Sequence, residues 1–298
     1  MSFKSGFVSI IGRPNAGKST LLNRIMDEKL AIVCDKPQTT RNNINGILNG
    51  EDYQIIFTDT PGIHKPKHAL GRSMNKGVYS ALQDVDVIYY IVDATKPFGS
   101  GDEFVIDKFK NSESAVFLLL NKVDLLSKGK VLDLLQKWTT NYDFAEVFPL
   151  SAAEGYNVSA LVTATLPYLK GDFKYYPDDM TSDRSDTFRI KEIIREKILY
   201  KTIEEVPHSV AVVVESIDEH PNSIEIAATI VVEKDSQKGI IIGKQAKMLT
   251  SIKMSSQKEL KQLLNKRVDL ELYVRVEKNW RDQEQKLKAL GYKDFDNE

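Results

Sequence analysis

The chain has 298 residues, 42% of them hydrophobic and 28% charged, with 41 Lys/Arg against 42 Asp/Glu. That length gives room for two domains with separate cores, and the balance describes a globular protein, not a disordered one. No apolar run reaches the roughly 20 residues that span a bilayer, and Cys34, the single cysteine, excludes an internal disulfide and suits a reducing compartment.

Gly6 to Ile11 is a short apolar run that reads as a buried strand. It leads into Gly12-Arg13-Pro14-Asn15-Ala16-Gly17-Lys18-Ser19, which fits G-x-x-x-x-G-K-S/T, the phosphate loop. Thr20 to Met26 then carries apolar residues at helical spacing. Strand, glycine-rich turn and helix start present backbone N–H groups and a positive helix end to phosphates. The glycines let the backbone pass close to the oxyanions. Lys18 is placed to reach the β- and γ-phosphates and Ser19 to offer its hydroxyl to Mg²⁺, with Ala16 and Thr20 in the same cradle. Because this loop begins at Gly12, no cleavable leader is expected, and Ser2 removes the myristoylation pattern.

Further along, Lys29 to Asn43 is long and weakly periodic. Ile44 to Leu48 and Tyr53 to Phe57 flank Asn49-Gly50-Glu51-Asp52 and predict a hairpin. Thr58-Asp59-Thr60-Pro61-Gly62 closes its second strand; a polar segment (Ile63 to Lys67) follows, then an amphipathic pattern through Leu82. Val85 to Val92 and Ala115 to Leu120 read as buried strands, separated by a helical pattern over Glu103 to Phe109. Val131 to Trp138 is helical, Val147 to Leu150 a short strand with Ser151-Ala152-Ala153 at its end, and Asn157 to Leu169 a last helix. Repeated strand–helix units predict an α/β fold with a mostly parallel, doubly wound sheet that binds ligands at the carboxyl ends of its strands. Every motif so far falls at such an end.

The remaining motifs point to guanine and magnesium. Asp59, closing a strand after the phosphate loop, stands where an acidic residue holds Mg²⁺. Gly62 offers an N–H to a γ-phosphate. In Asn121-Lys122-Val123-Asp124, the carboxylate accepts from both N1–H and the 2-amino group of guanine. Adenine offers neither donor and leaves Asp124 buried without partners, a loss that discriminates by roughly 10⁴-fold or more. Asn121 bridges base and phosphate loop, the Lys122 stem covers the base plane, and the N–H of Ala152, beside Ser151, is placed to donate to the guanine O6. The four histidines (His64, His68, His208, His220) have no cysteine cluster beside them, so no transition-metal site is expected.

Lys170 to Thr187 is polar and acidic and reads as a linker. Beyond it, Phe188 to Ile203 is amphipathic, Ser209 to Val214 and Ile224 to Val232 are β-branched strand runs, and Lys238 to Ile242 leads into Gly243-Lys244-Gln245-Ala246. A helix from Lys247 to Leu264 and a strand from Val268 to Val276 complete the pattern. From Lys234 to Arg281 there are twelve Lys/Arg against five Asp/Glu, a net charge of +7.

Taken together, the chain resembles the Era family, bacterial GTPases of the translation-factor-related class, over both domains. The likeness is carried by Gly12 to Thr20, Gln38-Thr39-Thr40-Arg41, Asp59 to Pro66, Asn121 to Asp124, Pro207 to Val214, Asp235 to Gly243 and Lys278-Asn279-Trp280-Arg281. It implies a P-loop GTPase domain over 1–170, a linker over 171–187 and a KH-like domain of type II over 188–298. It makes Thr40 the switch threonine that closes on Mg²⁺, a choice that position alone does not make between Thr39 and Thr40. Related GTPases with an asparagine at the place of Asn15 bind K⁺ there; a structural asparagine in a turn is the other reading. Ile63 stands where Ras-like proteins carry a glutamine that orients the attacking water, so catalysis is assigned to Lys18, Thr40, Gly62, Mg²⁺ and backbone N–H groups, at a slow intrinsic rate. KH domains grip single-stranded RNA with a G-x-x-G loop. Here Lys238, Gly243, Lys244, Gln245, Ala246 and Lys247 are the candidate RNA contacts, and Ala246 departs from the family's glycine.

The resulting reading is a cytoplasmic, monomeric GTP/GDP switch that binds 16S ribosomal RNA and assists 30S subunit assembly. Periodicity and spacing alone reach a GTP-hydrolysing switch joined to a KH-like module. A switch whose second domain docks a protein or the inner face of the membrane is the rival, and a non-hydrolysing nucleotide sensor is a third.

Overall fold

The structure, a computed structural model, describes residues 3–66 and 68–292. Residues 1–2, Lys67 and 293–298, which fall within the predicted domains and the polar segment, lie outside the described residues.

The first sheet has six strands: β1 (Lys4–Ile11), β2 (Ile44–Asn49), β3 (Tyr53–Asp59), β4 (Val87–Asp93), β5 (Ala115–Asn121) and β6 (Glu146–Leu150). Their spatial order is β2-β3-β1-β4-β5-β6. Only the β2–β3 hairpin is antiparallel; β1 pairs with β3 and β4, β4 with β5 and β5 with β6 in parallel. Helices α1 (Lys18–Met26), α2 (Ala69–Ser80), α3 (Ser100–Ile106), α4 (Lys128–Thr139) and α5 (Val158–Thr165) cover it. The strands read as unbroken apolar runs because both faces are buried. Val87, Tyr89 and Ile91 pack with α1 and α5 residues such as Leu21 and Leu161. The alternate residues Ile88, Tyr90 and Val92 pack with Val105 of α3 and Trp138 of α4. Strand order reverses between β1 and β4, and the crevice at their carboxyl ends is where such sheets bind ligands.

The second sheet is smaller: β7 (Ala211–Glu219), β8 (Ser223–Val232) and β9 (Arg267–Val276), in that order. β7 and β8 are antiparallel, β8 and β9 parallel. The parallel pair needs a crossover, supplied by α8 (Asp235–Ile242) and α9 (Lys247–Leu264); α6 (Asp186–Lys201) and the short α7 (Val206–Ser209) precede the sheet. Ile194 and Ile198 of α6, Ile241 of α8 and Ile252 and Leu260 of α9 share one core with Val212, Ile230 and Leu270 of the strands. The fold is thus the predicted α/β GTPase domain followed by an α–β–β–α–α–β module.

Several boundaries differ from expectation for identifiable reasons. The side chain of Ser185 caps α6 by accepting from the Phe188 N–H, so the helix starts two residues early. β7 runs on to Glu219, past a bulge at Val214/Ser216, through exposed residues of which only Ile217 is apolar. Segment 171–187 is not a loose linker. Gly171 bridges Ser5, Ser182 bridges Gly46, and the Ile47 N–H donates to the Thr181 carbonyl at 2.9 Å, which covers the otherwise open edge of β2. The fully buried Gln54 accepts from the N–H groups of Tyr175 and Tyr176 and donates to the Tyr176 carbonyl. After β9 comes a further helix, α10 (Glu284–Ala289), absent from the sequence expectation. With Trp280 and Tyr292 it packs onto Ala69, Leu70 and Met74 of α2 and Ala211 and Val231 of the second sheet, joining the two domains.

Candidate functional site

The phosphate loop runs from the end of β1 into α1, as its sequence requires. Gly17 has φ of 106°, and a Cβ there would lie 2.1 Å from Asn121 Nδ2, so the loop can approach β5 only without a side chain. Asn121, 3% exposed, uses that space: its Nδ2 donates to the Ala16 carbonyl at 2.8 Å and its Oδ1 accepts from the Ala152 N–H at 2.9 Å. Three strand ends are thereby tied together. The Ala152 N–H, expected to donate to guanine O6, is held here by Asn121. Ser151 is 1% exposed and its hydroxyl accepts from the Glu154 N–H, so it shapes the loop without facing the cleft. Asp124, on the turn after β5, is exposed, so the burial on which guanine selection depends would come from the base itself. Lys122 donates to the Asn15 carbonyl at 2.9 Å and to Asp93 Oδ2 at 2.7 Å. The sequence reading did not single out Asp93, which sits at the end of β4.

Lys18 is 6% exposed, its Nζ 3.1 Å from the Arg13 carbonyl and 3.3 Å from that of Gly12. Burial pushes its pKa down to about 8, against the pull of Asp59. Such a cation gains a partner in an anionic phosphate. Asn15 has φ of 63°, and its Nδ2 donates to the Asp35 carbonyl at 2.6 Å, the behaviour of a structural turn asparagine.

The metal candidates converge. Ser19 Oγ donates to Asp59 Oδ2 at 2.6 Å and lies 2.8 Å from Thr40 Oγ1, which is itself 3.4 Å from Asp59 Oδ2. Thr39 instead donates to the Lys36 carbonyl at 2.7 Å, so of the two threonines it is Thr40 that lies beside Ser19 and Asp59. Asp59 is fully buried, its pKa raised to about 6 by that burial, and its Oδ1 has no hydrogen-bond partner. A buried, unsatisfied carboxylate oxygen beside two hydroxyls is a hard-oxygen donor set of the kind Mg²⁺ takes with phosphates. Gly62 lies against the loop, where a Cβ would sit 2.7 Å from Pro14 Cα. Ile63 is 3% exposed in the core, its N–H bonded to the Gly12 carbonyl at 3.1 Å. His64 turns to Gln38: the Gln38 Nε2 donates at 2.9 Å to His64 Nε2, and His64 Nδ1 donates to the Gly62 carbonyl at 2.8 Å.

Asn15, Gly17, Lys18, Ser19, Thr20, Thr40, Gly62 and Lys122 line one cavity of about 500 Å³, within the range of small-ligand sites. In the second domain, Lys244, Gln245, Ala246 and Lys247 form an exposed tip between α8 and α9, with Gly243 and Lys238 half-buried behind it. Part of the +7 is neutralised from outside that stretch, where Arg281 pairs with Glu233 and Lys266 with Glu219; the pairs Arg275–Glu277 and Arg267–Asp269 lie within it and are already counted.

A family model described as a 50S ribosome-binding GTPase matches residues 7–122, and a KH-domain model matches residues 205–281. The chain is 37% identical to Era solved with MgGDPNP and nucleotides 1506–1542 of 16S ribosomal RNA, covering 97% of this chain and 99% of that one at a TM-score of 0.95. It is also 37% identical to a variant of Aquifex aeolicus Era bound to GDP and AlF4⁻, with the same coverage and a TM-score of 0.94. On that full-length likeness, with the Ser19–Thr40–Asp59 cluster and the guanine motif in place, the chain belongs to the Era family of GTPases.

Proposed function

We propose that the chain is a GTP-hydrolysing switch that binds small-subunit (16S) ribosomal RNA through its KH domain and assists 30S subunit assembly. The observation that carries the enzymatic part is the convergence of Ser19, Thr40 and Asp59 beside the buried Lys18. Lys18 neutralises the β- and γ-phosphates, and the N–H of Gly62 holds the γ-phosphate in line. Ser19, Thr40 and Asp59 would hold Mg²⁺, which would supply charge neutralisation at the phosphate oxygens. Asp124 and Asn121 select guanine. With an apolar Ile63 in the core, no side chain there orients water, so the intrinsic rate is slow.

Support for the RNA part comes from the relative crystallised with 16S RNA and from the exposed tip at Lys244 to Lys247. The same reading makes the protein a cytoplasmic monomer. Single-turnover phosphate release from GTP tests the chemistry. Co-sedimentation with 30S particles that is abolished by nuclease tests the partner; nuclease-resistant association, or flotation with anionic vesicles, would move the second domain to protein or membrane docking.

A further inference from the structure

The segment that carries Thr40 is not a free loop: besides Asn15 at Asp35 and His64 at Gln38, the second domain holds it. Ile32 is buried in that domain's apolar core, with Cys34 packed at its edge. Glu196 of α6 accepts from the Val33 N–H at 3.2 Å and from Lys29 Nζ at 2.7 Å, and the Tyr200 hydroxyl donates to the Val33 carbonyl at 2.7 Å. One residue before Thr40, the guanidinium of Arg195 donates to the Thr39 carbonyl. That guanidinium is fully buried and gripped by Glu192, which accepts at 2.9 Å from its Nε and at 2.5 Å from Nη2. One residue after Thr40, Arg41 donates to the carbonyls of Val210 at 2.7 Å and Pro207 at 3.1 Å and to the Tyr292 hydroxyl at 3.1 Å. Its guanidinium lies 5.9 Å from the Trp280 ring and 5.7 Å from that of Tyr292.

Thr40 therefore sits between two anchors to the second domain, one on the Thr39 carbonyl and one through the Arg41 side chain. Fixing a residue's dihedrals costs conformational entropy. A threonine already held beside Ser19 and Asp59 loses less on closing over a metal-bound nucleotide, and that pre-organisation appears as tighter metal binding in the active arrangement. Neither arginine lines the nucleotide cavity.

We propose that Arg195 and Arg41 are positioning residues of the hydrolytic centre, through which the second domain sets Thr40 in place beside Ser19 and Asp59. This rests on reading Ser19, Thr40 and Asp59 as the metal site of a GTPase. By linkage, a ligand that moves α6 alters the affinity for Mg²⁺ and GTP, and nucleotide alters the affinity for that ligand by the same factor.

The paired change Arg195→Met with Glu192→Leu removes the anchor without leaving a buried charge unpaired. Cys34, the single cysteine and part of the same segment, is a built-in probe. Its rate of modification by a thiol reagent in the metal- and nucleotide-free protein is expected to rise about fivefold or more. The Mg²⁺ concentration for half-maximal single-turnover hydrolysis is expected to rise about tenfold, while GDP affinity stays within about twofold and Arg195→Lys restores part of both losses. Should the paired variant not fold, Arg41→Lys, which keeps charge between the rings but loses donors, is expected to shift the same readouts about threefold. Unchanged Cys34 reactivity and Mg²⁺ dependence in a folded variant overturn the proposal while wild-type hydrolysis persists. Absence of wild-type hydrolysis would instead remove the reading of the site itself.

Discussion

Ser19 Oγ donates to Asp59 Oδ2 over 2.6 Å, while the other oxygen of that buried carboxylate has no partner. Burial raises the Asp59 pKa to about 6, against the Lys18 ammonium and the hydrogen bonds from Ser19 and Thr40, which pull it down. Mg²⁺ binds the ionised carboxylate, so proton and metal compete. Apparent Mg²⁺ affinity is therefore expected to be flat above pH 7 and to fall about tenfold per unit below pH 6. Titration calorimetry with Mg²⁺ on the GDP-bound protein between pH 7.5 and 5 measures this, and a flat profile across that range would place the metal elsewhere.

Asp124 stands exposed on the turn after β5, two residues beyond Lys122 of the nucleotide cavity. Asp124→Asn should lose GTP and gain xanthosine triphosphate, because the 2-carbonyl of xanthine accepts where the guanine amino group donates. The exchange should cost at least about 10³-fold in GTP affinity, by the rule that unmatched polar groups discriminate strongly. Competition between the two nucleotides for a fluorescent GDP analogue decides it; undiminished GTP affinity in the variant would falsify the guanine assignment.

The structure changes what should be asked of Ile63. At 3% exposure it packs with Ile11, Val78 and Ile88, so truncation to alanine opens a cavity costing about 2–5 kcal/mol. Ile63→Val is the cleaner probe, expected to cost about 1 kcal/mol of stability and to leave turnover within about tenfold. Urea unfolding and single-turnover hydrolysis separate the two effects. A collapse of turnover with stability and GDP affinity intact would give this side chain a positioning role.

What could be read from the sequence was whatever lies within a few consecutive residues at a strand end. Gly12 to Ser19, Asp59 to Gly62 and Asn121 to Asp124 each carry their chemistry locally, so their order along the chain already implied a shared crevice. The parts that were not legible depend on distant partners. Lys29 to Asn43 looked aperiodic because its contacts are the side chains of α6, the carbonyls around α7 and the C-terminal ring pair. Arg41 and Arg195 gave no local sign that both would be buried on either side of Thr40. Residues 171–187 are as polar as a flexible linker because their hydrogen bonds to β2 are made by backbone, which composition does not record.

At the tip of the second domain the structure gives a reason for the family's last glycine. Ala246 has φ of 57° and ψ of 18°, the left-handed region, following Gln245 at φ of 52°. An L-residue with a Cβ is held there at a cost of about 1 kcal/mol relative to glycine. Ala246→Gly should therefore raise stability by up to about 1 kcal/mol in urea unfolding, less whatever the freer unfolded chain takes back. The loop backbone of a KH domain also lies against nucleotide phosphates, and the missing methyl permits closer approach, so RNA affinity should rise by at most about fivefold. Lys244 acts by charge instead. It is exposed at the same tip, and Lys244→Ala should weaken binding and lower the salt slope by about one phosphate's share. Binding to a single-stranded RNA with the sequence of 16S nucleotides 1506–1542, measured at three salt concentrations, reads both variants together. Shifts in opposite directions, with only the lysine variant changing the slope, place the RNA backbone on this loop. Indifference to both would move the contact off the loop and make the second domain a docking module for protein.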